Sequence, residues 1–191
     1  MVSTYQTWWE SLSPEWQQAF TFSFLQNKPG PSAEDLETLH GITVLRLVGP
    51  TAPHPNCNAE LTDLSGITDL KNLQILIISH HAITGIKEVA GLTSLKSLFV
   101  FNNKIESLEG IEGLQQLEQL YINSNEISSI KELAHLPQLK ELFVNDNQLS
   151  SLEGLTEQHA ENLEKFTCLP NQLLKPKEIL RVERELGILC R

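Results

Sequence analysis

A few side chains in this sequence are of types that bind transition metals. His80 and His81 are adjacent, and His54 and Cys57 lie in a proline-rich segment, residues 48–60. Imidazole and thiolate groups are transition-metal ligands, so a metal-dependent role at His54, His80 and His81 is one hypothesis. The sequence nevertheless has no dense metal-ligand motif, no glycine-rich phosphate loop, no H-E-x-x-H and no G-x-S-x-G. We therefore predict no catalytic residue, no bound metal, no cofactor and no enzyme.

A second set of side chains recurs at a fixed interval and indicates recognition rather than bond making. Three copies of one pattern, each 22 residues long, run from Leu73 to Gln138, and a fourth, slightly longer copy follows. In each copy one residue, mostly aromatic, stands between two aliphatic residues. Across the chain these intervening residues are Arg46, Ile77, Phe99, Tyr121, Phe143 and Thr167.

The spacing within one copy predicts how these side chains are positioned. Leu98 and Val100 would point to one side of a short strand, and Phe99 and Phe101 to the other. Apolar residues three apart then suit a returning segment of tight turns or 3₁₀ pieces. One coil cannot bury its apolar side chains alone, so we expect the coils to stack around a common core with a parallel sheet along one side. We call the solvent side of that sheet the concave face.

A polar residue recurs at the bend after each strand. The positions hold Asn103, Asn125, Asn147 and Asn171, and His81 takes the same place in the first copy. A buried amide at this bend can bond unpaired backbone groups of its own coil and the next one. We expect the resulting ladder to be weaker at His81.

The repeats are expected to occupy residues 42–174, as about six strands with an inserted loop at residues 48–60. Residues 1–41 are predicted to form a helical N-terminal cap and residues 175–191 a helical C-terminal cap, within one structural domain. Helices should begin at Ser13, which precedes Pro14, and at Ser32. The residues expected to face inward from the caps are Trp8, Trp9, Trp16, Ala19, Phe20, Phe24, Leu36, Leu39, Ile179, Leu180, Val182 and Leu186.

The pattern L-x-x-L-x-L-x-x-N-x-I-x-x-I over residues 42–174 resembles the leucine-rich repeat family. Its length and its I-x-x-I-x-x-L-x-x-L return segment are similar to the short-repeat class that includes the bacterial internalins and the regulatory subunit of type-one protein phosphatase. The resemblance implies an α/β leucine-rich repeat solenoid, a right-handed curved stack with the parallel sheet on its concave face and 3₁₀ segments on its convex face. It also implies that protein ligands bind to strand-borne side chains of the concave face, and the chain as a whole looks bacterial.

Two groups of residues are candidates for binding. Those on the concave face are Arg46, Ile77, Phe99, Phe101, Tyr121, Asn123, Phe143 and Asn145. Those on the rim, beyond the carboxyl ends of the strands, are His80, Asn102, Ser124 and Asp146. The apolar members could together expose on the order of a few hundred Å², which is typical of interaction sites. Alternatively, these side chains pack on one another and only stabilise the sheet. The inserted loop should wall one end of the groove.

The leading hypothesis is a protein–protein interaction module that binds a protein or peptide through the concave face. The net charge of −10 argues against nucleic acid and favours a basic or neutral partner surface. Weak self-association through the apolar face is an alternative.

The sequence also bears on location. The N-terminus lacks a basic start followed by an apolar stretch, and no apolar run is long enough for membrane insertion. Cys57, Cys168 and Cys190 show no paired spacing, so we expect reduced thiols and a cytoplasmic location. An exported or surface-displayed adhesin or effector, directed by a signal that is not N-terminal, is a further hypothesis.

Overall fold

The computed structural model describes residues 4–28 and 30–190. They form a single parallel sheet with helices at both ends. The helices are α1 (Thr4–Ser11), α2 (Pro14–Ser23), α3 (Ala33–Gly41), α4 (Glu157–Asn162) and α5 (Pro176–Glu185). The strands are β1 (Val44–Val48), β2 (Ile75–Ser79), β3 (Ser97–Phe99), β4 (Gln119–Tyr121), β5 (Glu141–Phe143) and β6 (Lys165–Thr167). Within these described ranges, no helix is long and apolar enough to cross a membrane.

The six strands follow one another in chain order, and every neighbouring pair is parallel. Each strand carries a buried aliphatic or aromatic residue that pairs with the equivalent residue of the next strand. Leu98, for example, pairs with Leu120. The side chains on either side of that position point to the opposite face because strand side chains alternate. This arrangement confirms the predicted α/β solenoid and the predicted register of its repeats.

The returning segments are short 3₁₀ turns, as the spacing of three predicts. They lie at residues 65–67, 87–91, 111–113 and 131–135. Around the second of them Ile86, Val89 and Leu92 are buried, each three residues from the next. The fourth copy differs, because α4 takes the place of a 3₁₀ turn there. The two additional residues of that copy provide the length for a helical turn, and His159 accepts a hydrogen bond from the N–H of Thr156 at the helix start (3.1 Å).

The recurring asparagines form the predicted ladder, but they bridge each coil to the preceding one. The side-chain nitrogen of Asn125 donates to the carbonyls of Ile122, in its own coil, and Val100, in the preceding coil, each at 3.0 Å. Its side-chain oxygen accepts from the N–H of Ile105, also in the preceding coil, at 3.0 Å. The prediction that the amide would reach the next coil was therefore wrong. The amide lies against the preceding coil because the donor N–H and one acceptor carbonyl that it bonds belong to that coil.

The N-terminal cap packs Trp16 on the first coil. Ser13 caps α2 by accepting from the N–H of Trp16, and Ser32 and Asp35 form a reciprocal capping pair at the start of α3, both as predicted. Trp16 is buried and its indole N–H donates to Asp63 at 3.3 Å. The indole also lies flat against Gly66, where a Cβ would collide with the ring.

Two inward-facing predictions for the caps were wrong. Phe24 follows the end of α2 and is exposed, because the chain leaves the helix before the aromatic side chain can reach the core. Leu180 lies on the solvent side of α5, whereas Val182 is buried and Ile179 and Leu186 are half-buried. The apolar stripe of α5 is thus narrower than its sequence suggests.

The C-terminal helix is fixed to the fourth copy by one carboxylate. Glu178 accepts hydrogen bonds from the N–H of Leu152 (2.9 Å) and the hydroxyl of Ser151 (3.1 Å), and its neighbour Arg181 donates to it at 2.8 Å. The arginine, together with these hydrogen bonds, lowers the pKa of Glu178 to about 2. The carboxylate therefore stays ionised and holds α5 against the end of the solenoid.

The ladder yields a stability prediction for Asn125→Ala. Removing the side chain leaves buried carbonyl and N–H groups unpaired, at about 1–3 kcal/mol for each group, so we expect the free energy of unfolding to fall by about 3 kcal/mol. Urea denaturation measures this change. The matched control is Asn123→Ala, because Asn123 lies on the concave face outside the ladder; that variant should stay within about 0.5 kcal/mol of wild type. Equal losses in both variants would contradict a structural role for the ladder.

Candidate functional site

The residues predicted to form a row across the concave face are paired in register. Arg46 is opposite Ile77, Ile77 is opposite Phe99, and the same alignment continues through Tyr121, Phe143 and Thr167. Each stands between two buried core residues of its own strand, so its side chain points out of the core. The sequence therefore predicted the composition of this row correctly, position by position.

The aromatic members of the row pack on one another. The ring centroids of Phe99 and Tyr121 are 4.7 Å apart with the rings edge-to-face, and those of Tyr121 and Phe143 are 4.2 Å apart. Neighbouring strands are spaced by a similar distance, so rings at equivalent positions contact each other. All three rings are half-buried. The stack is therefore a firm apolar strip rather than a set of separate exposed side chains, and it exposes less surface than the sequence suggested.

The C-terminal half of the face is polar and internally bonded. The hydroxyl of Tyr121 donates to Glu141 at 2.5 Å, and Lys165 forms an ion pair with the same carboxylate at 2.7 Å. Partial burial and the hydrogen bond to Glu141 raise the pKa of Tyr121 to about 12, and the bond from Lys165 lowers the pKa of Glu141. Asn145 is half-buried and donates to Asp146 at 2.7 Å. These groups satisfy one another, which leaves the N-terminal half of the face as the apolar part.

The rim residues share a backbone conformation that the sequence analysis did not predict. His80, Asn102, Ser124 and Asp146 all have positive φ angles, of 61°, 53°, 56° and 54°. Asparagine, aspartate and histidine adopt this left-handed conformation more readily than most residues, so the residue types at these positions were the available signal. The side chains of His80 and Asn102 are hydrogen-bonded to each other at 3.0 Å. The rim is thus an ordered edge along the ends of the strands.

The inserted loop closes the N-terminal end of the face. The Asn56 side chain accepts from the N–H of Val48 (2.7 Å) and donates to the carbonyl of Arg46 (2.8 Å), which folds the loop back along β1. The hydroxyl of Thr51 donates to the carbonyl of His80 at 3.2 Å. A Cβ at Gly49 would collide with that same carbonyl, so only glycine permits this approach.

The loop and the sheet form a cavity of about 350 Å³ that is open to solvent. Its apolar walls are formed by Val48, Ala52, Pro53, Ile77, Phe99 and Phe101. Its polar lining consists of Arg46, His54, Ser79 and His80. The predicted position of the loop as an end wall agrees with this arrangement. Val48 and Ser79 are buried beneath it and do not belong to the open face.

The histidines and the cysteine named as metal-ligand candidates do not form one site, because His54 and His80 line the cavity whereas His81 and Cys57 are buried. His81 is 6% exposed, and its Nδ1 accepts from the N–H of Leu61 at 3.2 Å, so it replaces the ladder asparagine rather than facing solvent. Cys57 is buried and its thiol donates to the carbonyl of Ala59 at 3.4 Å. Among residues 4–28 and 30–190, no group of three His, Cys, Asp or Glu side chains is placed to hold a metal ion. His54, His80 and His81 therefore do not form the common site that the metal hypothesis requires, because His81 is a core residue.

Comparison with known proteins identifies the repeats. A sequence model described as "Leucine Rich repeats (2 copies)" matches residues 71–114, 93–135 and 115–176. No curated protein matches the chain.

Several solved structures are similar to the chain. An internalin (inlF) from Listeria monocytogenes is 28% identical with a TM-score of 0.56, covering 68% of this chain and 37% of its own. A leucine-rich repeat protein of Leptospira interrogans is 30% identical with a TM-score of 0.59, covering 66% of this chain and 33% of its own. The functional domain of InlJ from Listeria monocytogenes, at 20% identity and a TM-score of 0.66, shares the fold and covers 90% of this chain and 34% of its own. The chain thus spans about a third of the length of these structures.

Burial of His81 predicts a pH effect on stability. Burial lowers the pKa of His81 to about 4, whereas an unfolded histidine titrates near its ordinary value of 6.5. Between these values the unfolded chain binds a proton that the folded chain does not, so stability falls as the pH falls from about 6.5 to about 4. At about pH 5 the loss attributable to His81 is about 2 kcal/mol relative to about pH 8.

When the pH is lowered from about 8 to about 5, the free energy of unfolding of His81→Asn should fall by about 2 kcal/mol less than that of wild type. Urea denaturation at the two pH values measures it. The matched control, His135→Asn at an exposed position, should keep the wild-type dependence. An unchanged pH dependence in His81→Asn would contradict a neutral, buried imidazole.

Proposed function

The chain belongs to the leucine-rich repeat family, and on that premise we propose that it is a protein-interaction module that binds a protein or peptide through its concave face. The observation that supports this most is the apolar strip of Phe99, Tyr121 and Phe143, which continues into the cavity beneath the inserted loop. Aromatic side chains that are held rigidly and are still partly accessible are typical anchors for a protein partner. Binding, and not catalysis, is the role we assign.

The geometry favours a partner that lies along the row of strands. The apolar side chains Ile77, Phe99 and Phe101 occupy the N-terminal half, and the polar groups of Asn123 and Asn145 lie further along the face. Both halves are preorganised by the sheet, so a partner would not have to order them on binding. The net charge of −10 disfavours nucleic acid and steers basic surfaces toward the chain.

We further propose a cytoplasmic location. The thiols of Cys57 and Cys168 are free and buried in the core, as expected for a protein that folds under reducing conditions. The similarity to internalins supports a second candidate function, that of an exported or surface-displayed adhesin or effector. Fractionation of the source cells distinguishes the two, because an adhesin would be recovered outside the cytoplasmic fraction. Self-association is a third outcome, visible as a change in hydrodynamic size with concentration.

The binding face is tested by Phe99→Glu. The substitution removes an apolar contact with the partner and places a carboxylate in the aromatic strip. Because binding would desolvate this carboxylate, the affinity for the partner should fall by at least about a hundredfold. The measurement is affinity capture from a lysate of the source organism with wild-type and variant proteins side by side. We expect a protein that wild type retains and Phe99→Glu does not.

The matched control is Phe22→Glu, because Phe22 is an exposed aromatic residue on α2, away from the sheet. It should retain the same protein as wild type, and both variants should remain folded by circular dichroism. Equal retention by Phe99→Glu and wild type would contradict binding through the concave face.

A further inference from the structure

The cavity beneath the inserted loop differs in charge from the chain as a whole. The sequence contains 24 acidic and 14 basic residues. The lining of the cavity nevertheless contains Arg46, His54 and His80 and, among the described residues, no aspartate or glutamate. A chain this acidic would be expected to place some carboxylates near an average surface site. The cavity is therefore a local region suited to negative charge, surrounded by apolar walls.

The guanidinium of Arg46 is available to a ligand. Its side chain is exposed, and it forms no ion pair within residues 4–28 and 30–190. The cation at the other end of the same face, Lys165, is instead neutralised by Glu141 at 2.7 Å. The arginine of the C-terminal cap, Arg181, is likewise bonded to Glu178 and Glu185. The concave face thus carries an unneutralised cation only beside its cavity, as far as the described residues extend.

The walls of the cavity are fixed before any ligand arrives. Asn56 bonds the backbone of Arg46 and Val48, and Thr51 bonds the backbone of His80, so the loop is held at two points of the sheet. The rings of His80 and Phe101 meet edge-to-face with centroids 5.6 Å apart. Because the cavity is preformed, little of the binding free energy is lost to ordering its side chains.

We propose that this cavity binds an apolar side chain of a partner peptide together with an adjacent carboxylate. The apolar side chain packs against Ile77, Phe99 and Phe101, and the carboxylate pairs with the guanidinium of Arg46. An arginine can bond a carboxylate through two parallel N–H groups, which fixes the orientation of the carboxylate. A lysine or arginine of the partner would meet a like charge here. The inference rests on the proposed function, because it names the chemistry that the concave face selects.

The proposal separates two roles of charge. The net charge of −10 acts at long range and attracts basic partner surfaces. The lining of the cavity acts at contact and selects an acidic group beside an apolar one. A partner that satisfies both has a basic surface with an apolar and acidic anchor in one exposed segment.

The test uses a random peptide library displayed on phage as the probe. The library is selected on immobilised wild-type protein and, in parallel, on Arg46→Gln. We expect wild type to enrich peptides with aspartate or glutamate next to a large apolar residue, and Arg46→Gln to lose that preference. The strongest peptide should bind Arg46→Gln at least about tenfold more weakly than wild type. Arg184→Gln, on the exposed side of α5, is the matched control and should bind it as wild type does.

A double-mutant cycle isolates the contact. Replacing the acidic residue of the peptide by its amide should weaken binding to wild type about tenfold and leave binding to Arg46→Gln unchanged. If the enriched peptides lack an acidic residue but fail to bind Phe99→Glu, the proposed acidic anchor is overturned and the proposed function is retained. Failure of wild type to enrich any peptide would also overturn the acidic anchor, whereas the proposed function is decided separately by affinity capture with wild type and Phe99→Glu.

Discussion

The buried asparagine at the end of each strand is the interaction on which the rest of the structure depends. At this bend the chain turns from the sheet into the returning segment, and several backbone groups would be buried without partners. Asn125 satisfies carbonyls of two successive coils and the N–H of Ile105 with a single side chain. Each such backbone group would otherwise cost about 1–3 kcal/mol. Because one amide reaches both coils, it also fixes the offset between them at one repeat.

A fixed offset makes the surface a direct consequence of the repeat. Residues at the same position in successive copies, such as Phe99 and Tyr121, are brought into contact and form continuous rows. The first coil departs from this rule, because His81 replaces the asparagine and the loop of residues 48–60 is inserted. There Asn56 takes over the bonding of the backbone of Arg46 and Val48. The cavity lies where the regular ladder is interrupted, at the N-terminal end of the concave face. A second depression, lined in part by Phe143, Lys165 and Thr167, lies at the C-terminal end.

The sequence predicted the features that repeat more completely than those that occur once, although the helix caps at Ser13 and Ser32 and the inserted loop were among the latter. The strand register and the row from Arg46 to Thr167 followed from the repeated pattern, with allowance for the inserted loop and the longer fourth copy, because parallel strands in successive coils must align. The helix α4 was not predicted, because it depends on two additional residues and on a cap by His159 that no other copy contains. The repeat places His81 at the ladder position, but its bonding partner there, the backbone N–H of Leu61, was not predicted because no other copy has a histidine at this position.

The site was predictable in composition and not in shape. Periodicity identifies which side chains share a face, but the half-burial of the aromatic strip depends on ring orientation across strands. The walls of the cavity depend on how a proline-containing loop folds, and its anchor, Asn56, was not distinguished in the sequence from other loop residues. The polar lining of the cavity combines Arg46 of the first strand and His54 of the loop that follows it with His80, which lies after the second strand.

Native-state hydrogen exchange tests most directly whether the asparagine ladder fixes the coils in one rigid register. The amides of Ile105, Ile127 and Leu149 each donate to a ladder asparagine in the following coil. We predict that these three amides exchange only through global unfolding, with exchange free energies equal to the free energy of unfolding from urea denaturation. Exchange through local opening, at rates typical of the surface loops, would contradict the account, because the rows and the cavity would then lack a fixed support.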